Sequence, residues 1–205
     1  MNEIAEIPMF LSSCFITYAK DIDNKKIINA IEKMQNTQPS NKRSNAGGFQ
    51  SFTIPRDSYD NDEVAKLFET LIIPTVKQIS KDINYPDAMD NMRYWYNVNY
   101  KYNYNTPHTH PKAYLSGVYY MKVPANSGNL IFNRAENEID RMSFILEKCV
   151  KQALAPDNIR INTEHWIIPE ESKLIIFPGH VNHYVEQNLT EENDSRRISL
   201  SFNFF

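Results

Sequence analysis

Residues 94–133 read YWYNVNYKYNYNTPHTHPKAYLSGVYYMKVPANSGNLIFN. Aromatic and β-branched residues crowd three short runs here: Tyr94 to Tyr104, Tyr114 to Val123 and Asn129 to Asn133. Such residues fit a pleated, half-buried surface. Asn105-Thr106-Pro107 and Asn126-Ser127-Gly128 supply turn chemistry between the runs. The same grammar continues to the end of the chain. Glu164 to Ile168, Lys173 to Phe177, Tyr184 to Gln187 and Arg196 to Phe204 read as strands, punctuated by Pro169-Glu170-Glu171 and Pro178-Gly179.

The chain upstream is different. Ile27, Ile28, Ile31 and Met34 share one helical face, with Asp23 or Asn24 available as an N-cap. Val64, Leu67, Phe68 and Leu71 form a second stripe that Ile79 and Ile83 can continue. Pro74 should kink or split that helix. Pro39 to Gly48 reads as a loop, and Ile7 to Ala19 as a first strand. Helices followed by a run of strands imply an α+β, mainly β fold: a sandwich or barrel with helices on one face. Arg134 to Asn162 interrupts the strands, with Ile139, Met142, Ile145, Leu146 and Cys149 at helical spacing. It is an insertion, either a lid or a helix packed outside the barrel.

At 205 residues the chain fits one domain, 1–205. A net charge of −3 makes a nucleic-acid surface unlikely. No apolar run reaches membrane-spanning length. Cys14 and Cys149 match no metal or redox spacing, which suggests a reducing, cytoplasmic setting. The sequence is silent on oligomeric state.

Four of the five histidines fall in two clusters. His108-Thr109-His110 lies between Pro107 and Pro111, which disfavour helix. In an extended chain both imidazoles point the same way, about 7 Å apart at Cα for a rise of about 3.3 Å per residue, and can converge on one metal. His180 and His183 flank a turn at a strand end, where either could present a third ligand. Two close ligands and one distant leave half an octahedron open, which suits iron(II) with a chelating co-substrate and oxygen. A zinc hydrolase fits poorly, because no carboxylate stands beside either cluster to act as base. In the last strand Arg197, Ser199, Ser201 and Asn203 share a polar face opposite Ile198, Leu200, Phe202 and Phe204. That polar face meets bulk water or lines a wet cavity.

Several segments, in order, resemble the 2-oxoglutarate and iron(II)-dependent oxygenases, in particular a group of small bacterial and phage members. They are Ser44-Asn45-Ala46-Gly47-Gly48-Phe49-Gln50-Ser51, His108-Thr109-His110-Pro111, Leu115-Ser116-Gly117-Val118-Tyr119-Tyr120 and Ser127-Gly128-Asn129-Leu130-Ile131-Phe132. The tail adds Leu174-Ile175-Ile176-Phe177-Pro178, His183-Tyr184-Val185-Glu186 and Arg197-Ile198-Ser199-Leu200-Ser201-Phe202-Asn203. The resemblance implies a double-stranded β-helix, a jelly-roll barrel with supporting N-terminal helices. It implies Fe(II), 2-oxoglutarate as a small-molecule co-substrate and O2, with hydroxylation of an unidentified substrate, a protein side chain or a metabolite. The implied iron ligands are His108, His110 and His183, in preference to His180. The wider superfamily has an acidic residue where His110 stands. Arg197, 14 residues after His183, would bind the distal carboxylate of 2-oxoglutarate. Ser199 would add a hydroxyl, and Asn97, Asn99 and Tyr120 could touch the co-substrate. The polar face of the last strand would then look inward. Two rival readings keep the jelly roll: a three-histidine, cupin-type dioxygenase without 2-oxoglutarate, and a non-enzymatic binding module. Arg197 separates the first of these from the leading reading.

Overall fold

The computed structural model describes residues 12–85, 91–134 and 162–205. Strand β1 (Phe15–Tyr18) leads into helix α1 (Asn24–Thr37). The Asp23 carboxylate caps α1 by accepting from the backbone N–H groups of Lys25 and Lys26. Two short strands follow, β2 (Asn45–Ala46) and β3 (Phe49–Gln50), inside the expected loop and at its end. After β4 (Ile54–Pro55) comes α2 (Asp62–Leu67), then a π-helical segment (Phe68–Ile72), then α3 (Ile73–Asp82). The wide turn precedes Pro74 for a local reason. Proline has no N–H to give and its ring crowds the carbonyl four residues back, so the chain loosens to i→i+5 pairing, with Ile73 N–H donating to Phe68 O.

The strands β5 (Met92–Asn99), β6 (Tyr104–His108), β7 (Leu115–Lys122), β8 (Leu130–Asn133), β9 (Glu164–Ile167), β10 (Lys173–Pro178), β11 (His183–Val185) and β12 (Arg197–Phe204) complete the chain. They form an antiparallel sheet of seven strands, ordered β1-β10-β7-β12-β5-β3 with β4 also on β5, and one of five, ordered β2-β6-β11-β8-β9. Apolar side chains from β7 and β10 (Val118, Tyr120, Ile175, Phe177) pack against Leu130, Phe132 and Ile167 of β8 and β9, so the two sheets share an inner core. The opposite face of the larger sheet carries Tyr119, Ile176, Leu200 and Phe202, and the helices cover it with Ile27, Ile31, Leu67 and Phe68. Each such fully buried side chain contributes about 1.5–3 kcal/mol. The layers are helices, a large sheet and a small sheet, as expected of a jelly roll with supporting helices.

Two local expectations are corrected. Tyr94 to Tyr104 is not one strand. It reverses at residues 100–103, where Tyr102 adopts φ 70° and Asn103 N–H donates to Tyr100 O at 3.0 Å. The chain thereby crosses from the large sheet (β5) to the small one (β6). Asn105-Thr106-Pro107 is then strand, not turn. Pro107 is tolerated because it falls where the β6–β11 register shifts, between the Asn105–Val185 and His108–His183 pairs. The insertion's apolar stripe, Ile139 to Cys149, lies outside the described residues, as does the start of the expected first strand. Among the described residues no helix is long and apolar enough to cross a membrane.

Candidate metal and co-substrate site

His108 ends β6 and His183 begins β11, and the two strands pair so that these residues face each other. His110 follows β6 and is held by its backbone N–H, which donates to Gly179 O at 2.8 Å. That bond ties the first histidine cluster to the Pro178-Gly179 turn. Asn133 anchors the other side of the second cluster, its N–H donating to Asn182 O at 2.9 Å. As a result one ring nitrogen from each of His108, His110 and His183 lies within 4.8 Å of the others. His180 is exposed and stands outside this group. His165 sits in the same cross-strand row as His183, beyond Phe132, and is exposed.

The rings are oriented and neutral. His108 Nδ1–H donates to Thr106 O at 2.8 Å, and His183 Nδ1–H to Val181 O at 2.9 Å. These bonds leave both Nε2 lone pairs free, the arrangement in which histidine binds metals. Burial, reinforced by His183 and His108, brings His110 down to about 3. Burial and His108 bring His183 to about 4, and burial also lowers His108. All three imidazoles are neutral at neutral pH, each keeping one N–H. Phe177 and Phe132 pack near His183, with ring centroids at 4.7 and 6.1 Å, and Trp95 lies 5.6 Å from His110.

The imidazoles open into a cavity between the sheets that is also lined by Asn97, Asn99, Asn105, Tyr120, Arg197, Ser199 and Ser201. The polar face of β12 therefore looks inward. Its apolar face, Ile198, Leu200, Phe202 and Phe204, is in the helix-side core. A larger, more open groove lined by Trp166, Ile168, Tyr184 and Leu189 lies elsewhere and holds none of these residues. No aspartate or glutamate is among the described residues lining the histidine cavity.

Arg197 is 2% exposed. Its Nη1 donates to the carbonyl oxygens of Ser127 and Glu186, the latter at 3.3 Å. Its Nη2 is buried with no hydrogen-bond partner among the described residues. Leaving a buried donor unsatisfied is costly, more so on a charged group. Burial lowers the guanidinium to about 10, still charged at neutral pH. Tyr120 adjoins it, its hydroxyl pushed up to about 12 by burial and therefore protonated.

Asn97 and Asn99 are more committed. Asn45 Nδ2 donates to Asn97 Oδ1 at 3.3 Å, Asn99 Nδ2 donates to Asn45 Oδ1 at 3.2 Å, and Asn97 Nδ2 donates to Ser201 Oγ at 3.2 Å. The reading from sequence did not single out Trp95, Asn105 or Ser201 as site residues. Strand alternation could have found Trp95, beside Asn97 on β5, and Ser201, beside Ser199 on β12. Asn105 was hidden by its misassignment to a turn. Ser44 and Asn45 fall in the segment read from sequence as a loop and carried no periodic signal; Asn45 is in fact in β2, paired with Asn105.

The family described as "Putative 2OG-Fe(II) oxygenase" matches residues 93–203. No curated protein matches the sequence. Among solved structures, the chain is similar to a Pseudomonas putida prolyl-4-hydroxylase, with 13% identity, TM-score 0.58 and coverage of 94% of this chain and 92% of that one. It is similar to a 2OG-Fe(II) oxygenase family oxidoreductase from Burkholderia pseudomallei (12% identity, TM-score 0.54, 93% and 84% covered). It is also similar to HygX from Streptomyces hygroscopicus, solved with nickel and 2-oxoglutarate bound (9% identity, TM-score 0.54, 94% and 82% covered). At such identities the likeness is one of fold.

Proposed function

The chain belongs to the 2OG-Fe(II) oxygenase family, and from that premise we propose that it is a hydroxylase whose iron(II) is held by His108, His110 and His183 and whose 2-oxoglutarate is held by Arg197. Iron(II) with 2-oxoglutarate supplies oxygen activation, with succinate and carbon dioxide released as the substrate is oxidised. The observation that carries the assignment is Arg197 Nη2, which has no hydrogen-bond partner among the described residues and whose side chain lines the cavity that the three imidazoles enter.

The donor set fits both groups. Three neutral imidazoles clustered at one end suit a divalent ion that needs open positions. A buried guanidinium with a free nitrogen suits a carboxylate. Tyr120 and Ser199 line the same cavity, and their hydroxyls would bond the same carboxylate. Asn97 and Asn99 brace the wall through Asn45 and Ser201 and fix the width of the cavity. Val118, Leu130, Phe177 and Val185 add apolar surface to the lining, which would help keep water from the reacting end. The reading extends to one oxygenase domain over residues 1–205. A cytoplasmic setting fits two cysteines without pairing spacing, and a substrate other than nucleic acid fits the net charge of −3.

The test is anaerobic titration of metal-free protein with iron(II), then 2-oxoglutarate, watching for the weak visible charge-transfer band of the chelate. The band should form, and Arg197→Ala should abolish it at co-substrate concentrations that saturate the parent. Iron uptake with no band at any 2-oxoglutarate concentration would favour the three-histidine dioxygenase that dispenses with the co-substrate.

A further inference from the structure

Among the described residues each candidate ligand ring has one hydrogen-bonding neighbour, and one of the three differs in kind. His108 and His183 are served by backbone carbonyls, which can only accept. His110 is served by a side chain: Asn203 Nδ2 lies 3.4 Å from His110 Nδ1. Asn203 is itself buried, 9% exposed, and its Oδ1 accepts from Ser116 Oγ at 2.8 Å. Ser116 is 1% exposed and stands opposite Asn203 in the β7–β12 ladder.

In this arrangement the amide donates to Nδ1. The ring proton must then sit on Nε2, the ring nitrogen left for a metal while Nδ1 faces Asn203. A histidine ligand bound through Nε2 keeps its proton on Nδ1 and needs an acceptor there. Rotating the Asn203 amide by half a turn about its last bond provides one. Oδ1 then faces His110 Nδ1–H, and Nδ2 faces Ser116 Oγ, which accepts as readily as it donates. No atom need move far, because oxygen and nitrogen merely exchange places.

We propose that Asn203, backed by Ser116, is the positioning residue that sets the tautomer of His110 and so makes it a metal ligand. This rests on the three-histidine metal centre proposed above. It also gives Asn203 a specific task in this chain. An acidic ligand at position 110 would bind through oxygen and need no tautomer set, whereas a histidine does. The amide is the group that permits the exchange, since it carries a donor and an acceptor on one pivot.

The experiment compares cobalt(II) binding, by calorimetry and by the visible absorption of bound cobalt, in the parent, Asn203→Leu and Asn203→Asp. Long-range proton–nitrogen correlation spectra of the zinc-loaded protein report the protonated nitrogen of His110. Asn203→Leu should bind cobalt about 10–100-fold more weakly, the usual cost of losing such a partner. Asn203→Asp, whose carboxylate accepts from Nδ1–H, should bind within about threefold of the parent or tighter. The spectrum of the parent should place the proton on Nδ1. A merely structural Asn203 would lower the melting temperature without this rescue. Equal affinities in the parent and in Asn203→Leu overturn the proposal, as does a His110 proton on Nε2. Should Asn203→Leu fail to fold, the spectrum and the Asp variant decide alone. A parent protein that takes up no cobalt overturns the metal centre itself, and the proposal with it.

Discussion

His183 stands directly across the β6–β11 ladder from His108, their ring centroids 4.3 Å apart. Two strands far apart in sequence thus present two imidazoles at one level, and the Gly179 carbonyl draws His110 to the same point through its backbone N–H. Replacing His108 or His183 by Ala should weaken iron(II) or cobalt(II) binding by more than about 100-fold, beyond the cost of losing an outer partner. His180→Ala, at an exposed position, should leave binding unchanged. Calorimetric titration of the three variants checks both outcomes.

Arg197 should govern the co-substrate and not the metal. Hydrogen bonds to charged groups contribute about 1.5–3 kcal/mol. Arg197→Lys should therefore raise the 2-oxoglutarate Kd by about 10–100-fold while cobalt affinity stays within about threefold. Equal losses of both affinities in calorimetric titrations would show instead that the site had collapsed.

With no carboxylate among the described cavity residues, a divalent ion bound by the three imidazoles would share the cavity with Arg197 without a lining carboxylate to neutralise either. The dianionic co-substrate is then the neutralising group. 2-Oxoglutarate should tighten metal binding, and the metal should tighten 2-oxoglutarate binding by the same factor. His110→Asp should strengthen metal binding alone and shrink the coupling. Titrations of each ligand with and without the other measure it.

Asp194 ties the segment before β12 to the end of β7 and, through Arg196, to α1. It accepts from Arg196 Nε at 2.7 Å and pairs with Lys122, while Arg196 also reaches Glu32 on α1. The Arg196 hydrogen bonds, with help from Lys122, hold the Asp194 carboxyl below the usual carboxylate range. A depressed folded-state pKa gives stability that is present above the unfolded value, about 3.9, and lost as pH falls through the folded value. Asp194→Asn should lower the melting temperature at pH 7, and the gap should begin to shrink below about pH 4 and close as pH falls through the folded value. The group is partly exposed, so the effect stays under about 1 kcal/mol. Thermal melts across pH check it.

Gly117 is where the large sheet leaves no room. A Cβ there would lie 2.3 Å from Phe202 Cζ and 2.7 Å from the Ile175 carbonyl oxygen. Backbone cannot yield as a side-chain tip can, so Gly117→Ala should destabilise by about 1–3 kcal/mol or more. A melting temperature lower by several degrees in calorimetry is the expected result.

Much of this was legible in the residues. Period-two alternation in Arg197 to Phe204 separates four polar from four apolar positions, and the structure turns those faces to cavity and helices. Local chemistry also marked the Asp23 cap, the break before Pro74 and the two histidine clusters, because capping, ring constraint and clustering act within a few residues. The turn at Tyr102 stayed hidden. A tyrosine at φ 70° carries no glycine signature, and its N–H is held by Asn188 O, far along the chain.

Which histidine meets which could not be read locally. Register between β6 and β11 is set by side chains on other strands and by a shift at Pro107, and a slip of one residue would turn every ring to the other face. The free nitrogen of Arg197 and the amide of Asn203 beside His110 are likewise products of packing. The sequence by itself determined the residue types and the faces they occupy, because strand periodicity is a property of the chain. Only the tertiary structure decided their meeting point, because hydrogen bonds between distant strands bring the two clusters to one end of the cavity.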